Sequence, residues 1–191
     1  PEIDGLRAIA VSVVILYHAQ LSIFGHQPFQ GGFIGVDIFF VISGYLISNI
    51  IISELNGNEF SFKTFYLKRI KRILPALFFT LFTTIPFAFW LLSPKAMDEY
   101  LDSLIASLFF YANYHFMNLE FYVAESTKVM PLLHTWSLAI EEQFYILFPL
   151  LAFLIYKYFR KYLTIIIGTF TIISIYITTL SQSVEKFYQL Q

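Results

Sequence analysis

The chain has 191 residues; 58% are hydrophobic, a fifth are aromatic, only 13% are charged, and the net charge is −1. Soluble globular domains carry about 25% charged residues, so this much apolar surface does not fit one small soluble core, and lipid is its expected solvent. Basic residues that fall mostly in two short clusters argue against nucleic acid as a partner, and the lack of Cys excludes disulfides, a thiol nucleophile and thiolate metal sites within this stretch.

A helix needs about 20 mostly apolar residues to cross the hydrocarbon core. Residues 6–24 are the first predicted span, interrupted by Arg7, His18 and a few small polar residues. With no small-residue cleavage site and a second apolar run close behind, it reads as a retained span and not a signal peptide. Residues 33–53 are the second span and carry Asp37. Residues 54–72 read as the longest cytoplasmic linker, with Asn56-Gly57-Asn58 as a turn signal. The third span is 73–92, with Pro75 near its start, where a missing N–H costs little. Residues 101–118 are apolar but short and include Asn113 and His115. Residues 137–158 are the next span, carrying Glu141 and Glu142, and 162–180 are the last. Pro86 and Pro149 lie inside spans and are expected to kink them. Pro1 and Gln191 bring no opening or closing feature, so the chain reads as a fragment of a larger protein.

Charge in the short loops sets the topology. Lys63, Lys68, Arg69, Lys71 and Arg72 fall in one loop and Lys157, Arg160 and Lys161 in another, whereas 25–32, 93–100 and 119–136 together hold only Lys95 and Lys128. The positive-inside rule puts both basic loops in the cytoplasm. They share a side only if 101–118 does not cross, so that segment is predicted to be a re-entrant or interfacial helix. The N-terminus is then cytoplasmic and 93–136 is an outward-facing excursion. The expected fold is all-α: an incomplete polytopic transmembrane helix bundle of about five spans plus that helix.

Ionisable groups inside spans usually face a bundle interior or a watery cavity. Arg7 and His18 are eleven residues apart, close to three turns, and share one helix face about 16 Å apart along the axis. Arg7 is either a snorkelling anchor at the cytoplasmic end or a ligand contact. His18 is either a hydrogen-bonded interior histidine or a general base or acyl carrier, since imidazole titrates near neutral pH. Asp37, near the outward end of its span, either orients His18 as a carboxylate does in a triad or makes a structural charge contact at a helix start. Ser43-Gly44 reads as a close-packing step ahead of a nucleophile. Arg69 and Arg72, spaced i,i+3, either mark topology and contact anionic lipid or clamp a polyphosphate together. His134, Ser137 and Glu141 share a face, and Glu142 adds a second carboxylate that is expensive in a span without a partner. No His pair has metal-ligand spacing, and there is neither a phosphate-binding Gly-rich loop nor a nucleophile elbow.

Four blocks now carry a resemblance. Asp4-Gly5-Leu6-Arg7 with His18 forms the first, and Gly32-Phe33-Ile34-Gly35-Val36-Asp37-Ile38-Phe39-Phe40-Val41-Ile42-Ser43-Gly44-Tyr45-Leu46 the second. Arg69-Ile70-Lys71-Arg72-Ile73-Leu74-Pro75-Ala76 is the third, and Leu132-Leu133-His134-Thr135-Trp136-Ser137-Leu138 through Glu141-Glu142-Gln143-Phe144-Tyr145 the fourth. In order and spacing they resemble the membrane acyltransferase-3 family over residues 1–150, while the last forty residues match only in hydropathy. The resemblance implies a multi-pass enzyme of the bacterial inner membrane that moves acyl groups, usually acetyl, onto hydroxyls of cell-envelope sugars such as lipopolysaccharide O-antigen or peptidoglycan. It implies acetyl-coenzyme A as donor substrate, with no bound cofactor and no metal. The family's Arg-x10-His motif maps to Arg7 and His18, and its Arg-x-x-Arg motif to Arg69 and Arg72. On this reading His18, Asp37 and Glu141 are catalytic, Arg7, Arg69 and Arg72 bind donor, and His134, Ser137 and Glu142 contact acceptor or support the site. Residues 1–191 would be the N-terminal part of the acyltransferase domain. The fourth block is similar to members that carry an extracytoplasmic esterase-like domain, so further spans and such a domain are expected partners. The arginines are expected on the cytoplasmic side, and His18, Asp37, His134 and Glu141 on the outward side. Intramembrane charges also fit a transporter or permease, though no inverted repeat is visible. A third reading, an assembly protein whose charges only pair helices, predicts that charge swaps are tolerated.

Overall fold

The computed structural model describes residues 2–19, 28–120 and 130–189, and its described elements are helical. They are α1 (Glu2–His18), α2 (Ile34–Asn56), α3 (Phe62–Leu91), α4 (Pro94–Leu108), α5 (Ala112–Glu120), α6 (Thr135–Phe159) and α7 (Leu163–Gln189), with a 3₁₀ turn at Arg160–Tyr162 before α7. The chain divides into two units, Pro1–Pro149 and Leu150–Gln191.

Among the described residues, three helices are long and apolar enough to cross a membrane: Ile34–Asn56, Phe62–Leu91 and Thr135–Tyr162. At 1.5 Å per residue even the shortest exceeds the roughly 30 Å of a hydrocarbon core. The apolar stretch Ile165–Leu180 is shorter. Of the first predicted span, 20–24 lie outside the described residues, as do 121–129 of the outward excursion. Large apolar side chains such as Trp90, Phe79 and Phe89 stand mostly exposed, an arrangement that suits lipid and not water.

The linker expected over 54–72 is a correction. Helix α2 runs to Asn56 and α3 starts at Phe62, so only five residues connect them. The turn residue with a left-handed backbone is Asn58 (φ 55°), not Gly57 (φ −79°); Asn tolerates this region better than most side chains. Ser61 caps α3 by accepting from the Thr64 N–H. The basic cluster is therefore helical: Phe65 is buried while Lys63, Lys68, Lys71 and Arg72 are exposed. Lys68 reaches Glu54 of α2 at 3.8 Å, a largely exposed pair that contributes little. Pro75 is likewise well inside α3, not near its start.

The 101–118 segment does not form one span. It belongs to two helices, and Phe110 between them takes a left-handed backbone (φ 56°). Ser93 caps α4, with Pro94 in the first turn. The core of the first unit gathers Leu77, Leu81 and Ala88 of α3, Tyr100 and Ala106 of α4, Ala112 and Phe116 of α5, Leu132, and Ala139 of α6. Polar contacts bind the same elements. Ser107 and Thr135 meet through buried hydroxyls at 2.7 Å, and Thr84 meets Tyr100 at 2.9 Å.

Gln143 clasps α5 to α6. Its amide N–H donates to the Phe110 carbonyl at 2.8 Å and to Asn113 Oδ1 at 3.0 Å, and Asn113 donates back at 3.4 Å. Gln143→Ala leaves these half-buried groups without their partner, which costs about 1–3 kcal/mol. Its thermal midpoint in detergent should fall by several degrees; an unchanged midpoint would show that the clasp contributes nothing.

Candidate active site

Helices α1 and α2 pack as an antiparallel pair, and two glycines one turn apart set their register. A Cβ on Gly35 would meet the Ala10 carbonyl and Val14, and one on Gly32 would meet Tyr17 and the Val13 carbonyl. Further along, the Arg7 guanidinium stacks on the Phe39 ring, 4.9 Å from its centroid. The register changes the expected partnership of Asp37. Gly35 lies opposite Ala10 and Val14, and Asp37 is two residues farther from the α1 C-terminus, so its level on α1 is about 12 Å from His18 along the axis. Similar depth for the two was expected only because their spans were joined by a short loop; the overlap of the helices decides otherwise.

His18 closes α1 and is exposed. Its Nδ1 lies 2.9 Å from the Val14 carbonyl. A carbonyl only accepts, so Nδ1 carries the proton and Nε2 is left as a basic acceptor. The backbone thus sets the tautomer that a carboxylate sets in a triad. The Tyr17 ring meets the imidazole edge-on at 5.1 Å. His134, just before α6, is close enough that a charge on His18 acts on it. Burial by the surrounding protein holds His134 below the usual imidazole pKa, the Pro131 backbone opposes this, and His18 lowers it further. Ser137 donates to the His134 carbonyl at 3.0 Å.

A second polar cluster lies two turns along α6. Tyr145 is buried and donates a very short hydrogen bond to Glu141 Oε1. Glu142 is buried, and its Oε1 has no hydrogen-bond partner among the described residues. Arg69 of α3 lies over the Tyr145 ring at 5.1 Å and the Phe65 ring at 5.7 Å, with Glu141, Glu142 and Arg72 as its charged neighbours. Tyr66, one turn earlier on α3, donates to the Ile146 carbonyl at 2.9 Å and fixes the pairing of α3 with α6. The buried Ser43 hydroxyl of α2 also lacks a partner among the described residues. It lines a cavity of about 160 Å³ with Phe40, Gly44, Ile140, Glu141, Phe144 and Tyr145.

The structure therefore places His134 within electrostatic reach of His18, and sets Arg69 over Tyr145, within electrostatic reach of Glu141 and Glu142. It does not bring Asp37 to His18. The expected separation of an arginine set from a carboxylate set is corrected: Arg69 sits two turns into α3, the carboxylates two turns into α6, and the two helices overlap there. Nor do Arg69 and Arg72 form an equal clamp, since Arg69 is partly buried and Arg72 exposed. Sequence reasoning missed Tyr145, which is i+4 from Glu141 and so shares its face. It also placed a packing role for Ser43 ahead of a nucleophilic one.

The family described as an acyltransferase domain matches residues 1–189. The O-acetyltransferase OatA of Staphylococcus aureus is 39% identical over 160 residues, 83% of this chain and 26% of that protein. SACOL0978 of the same organism, provisionally named an O-acetyltransferase, is 41% identical over 152 residues, 79% of this chain and 24% of that protein. The chain spans about a quarter of the length of the curated relatives it matches. No solved structure matches it.

Proposed function

The chain belongs to the acyltransferase-3 family, and from that premise we propose that it supplies part of a membrane-embedded site for O-acyl transfer, moving acetyl from acetyl-coenzyme A to a hydroxyl of a cell-envelope sugar in the bacterial cytoplasmic membrane. The names of its relatives, O-acetyltransferases, favour acetyl and a hydroxyl acceptor. Further spans complete the bundle in this reading.

The observation that carries it is the state of His18. Its Nδ1 is engaged by the Val14 carbonyl, which in the neutral ring leaves Nε2 as the acceptor nitrogen. As the acceptor hydroxyl oxygen attacks the thioester carbonyl, Nε2 takes the hydroxyl proton; the C–S bond breaks, and the proton passes to the thiolate leaving group. In a covalent variant the same nitrogen attacks the thioester carbonyl first, the C–S bond breaks and the thiolate leaves; the hydroxyl oxygen then attacks the acyl-imidazole, the N–acyl bond breaks, and the hydroxyl proton ends on the thiolate. His134 lies within electrostatic reach of the imidazole, Arg7 lies about three turns down the same face, and Arg72 is exposed for the donor's phosphates. Glu141, Glu142, Ser137 and Asp37 support the site from α6 and α2.

Membranes carrying the complete gene product, given acetyl-labelled coenzyme A, should place base-labile label on envelope glycan. Intact donor with no labelled ester would overturn the reading, and uptake of donor into vesicles without cleavage would favour a transporter.

A further inference from the structure

We propose that the two arginines of Arg69-x-x-Arg72 do different work: Arg69 is a positioning residue locked between α3 and α6, and Arg72 alone is offered to an anionic ligand. The second half rests on the acyl-coenzyme A reading given above. Three observations separate the pair.

Arg69 is partly buried, and two aromatic rings from two helices, Phe65 and Tyr145, flank its guanidinium. It also lies within electrostatic reach of both carboxylates of α6, one of them on the buried Glu142. A buried carboxylate whose Oε1 has no hydrogen-bond partner among the described residues needs a nearby cation to remain tolerable. Arg69 is a cation within electrostatic reach of it. Through Tyr145, which donates to Glu141, it also fixes the wall of the 160 Å³ cavity. A guanidinium already flanked by two rings has little freedom left for a phosphate.

Arg72, one turn farther along α3, is exposed, as is its neighbour Lys71. An exposed guanidinium keeps its planar fork for a phosphate or another anion.

The test separates donor binding from positioning, using the complete gene product and two donors: acetyl-coenzyme A, and S-acetyl-pantetheine, which lacks the phosphates. Arg72→Met should raise KM for acetyl-coenzyme A at least tenfold and KM for S-acetyl-pantetheine less than twofold. Arg69→Met should lower kcat at least tenfold with both donors, leave both KM values within about twofold, and lower the thermal midpoint in detergent. Arg69→Lys should not restore kcat, because an ammonium does not replace a planar group between two rings. Arg69→Met/Glu142→Gln should recover most of the lost midpoint, since both members of the charge balance are then gone. The proposal is overturned if Arg69→Met behaves as Arg72→Met does, raising KM only for the phosphate-bearing donor at an unchanged midpoint. If the wild-type protein cleaves neither donor, the acyl-transfer reading and the role of Arg72 fall together. The midpoints still decide Arg69 in that case: equal values for the single and double variants remove it as the counter-charge of Glu142.

Discussion

Replacing His18 by alanine should abolish acyl transfer while leaving the amount of protein in the membrane unchanged. The size of the loss follows from the role. Positioned general acid–base catalysis contributes about 10²–10⁴-fold, and a residue that also carried the acyl group would leave less behind. The unchanged protein level follows from the location. His18 is exposed at the end of α1, and its recorded hydrogen bond is to its own helix, at the Val14 carbonyl. Exposed substitutions of this kind usually change stability by no more than about 0.5 kcal/mol. His18→Gln serves as the companion variant, since it keeps a polar group at the helix end but lacks a base. It should be as inactive as the alanine variant if the imidazole is the base. Full activity in His18→Gln would reduce His18 to a helix-end contact, and normal acylation in His18→Ala would remove it from the chemistry altogether. His134→Ala should cost less, because in the proposed mechanism His134 only supports His18.

How far the site was legible differs residue by residue. Hydropathy placed α2 and α6 within a few residues, because about 20 apolar residues in a row have few other solutions. The start of α3 was lost because Lys63, Lys68, Lys71 and Arg72 were counted as loop charge. Their spacing around the buried Phe65 and the partly buried Arg69 is that of an amphipathic helix. The break between α4 and α5 had no signal, since a Phe in a left-handed backbone follows no turn rule. Arg7 with His18, and Glu141 with Glu142, were legible as ionisable groups in apolar runs. Which of them meet was not. The meeting of Arg69 with Tyr145 depends on the register of two helices some seventy residues apart, and the Tyr66 contact that fixes it lies outside any motif.

Gly35→Ala should separate α1 from α2 and disable the site without touching a polar group. A Cβ at Gly35 would lie 2.5 Å from the Ala10 carbonyl oxygen and 2.7 Å from Val14 Cγ2. The nearer atom is backbone, so no rotamer change relieves the clash and one helix must move. Overpacking of this kind costs about 1–3 kcal/mol. Close approach at small residues is also a main source of helix association in lipid. The same contact sets the position of His18 and Arg7 relative to α2, so activity should fall at least tenfold along with the thermal midpoint. Gly44 supplies the control on the same helix. A Cβ there would meet nothing within 4 Å, and Gly in a helix interior is about 0.5–1 kcal/mol less stable than Ala. Gly44→Ala should therefore hold or raise the midpoint. Equal midpoints for the two variants would show that the α1–α2 register is not set by glycine contact, and the placing of Asp37 away from His18, which rests on that register, would have to be drawn again.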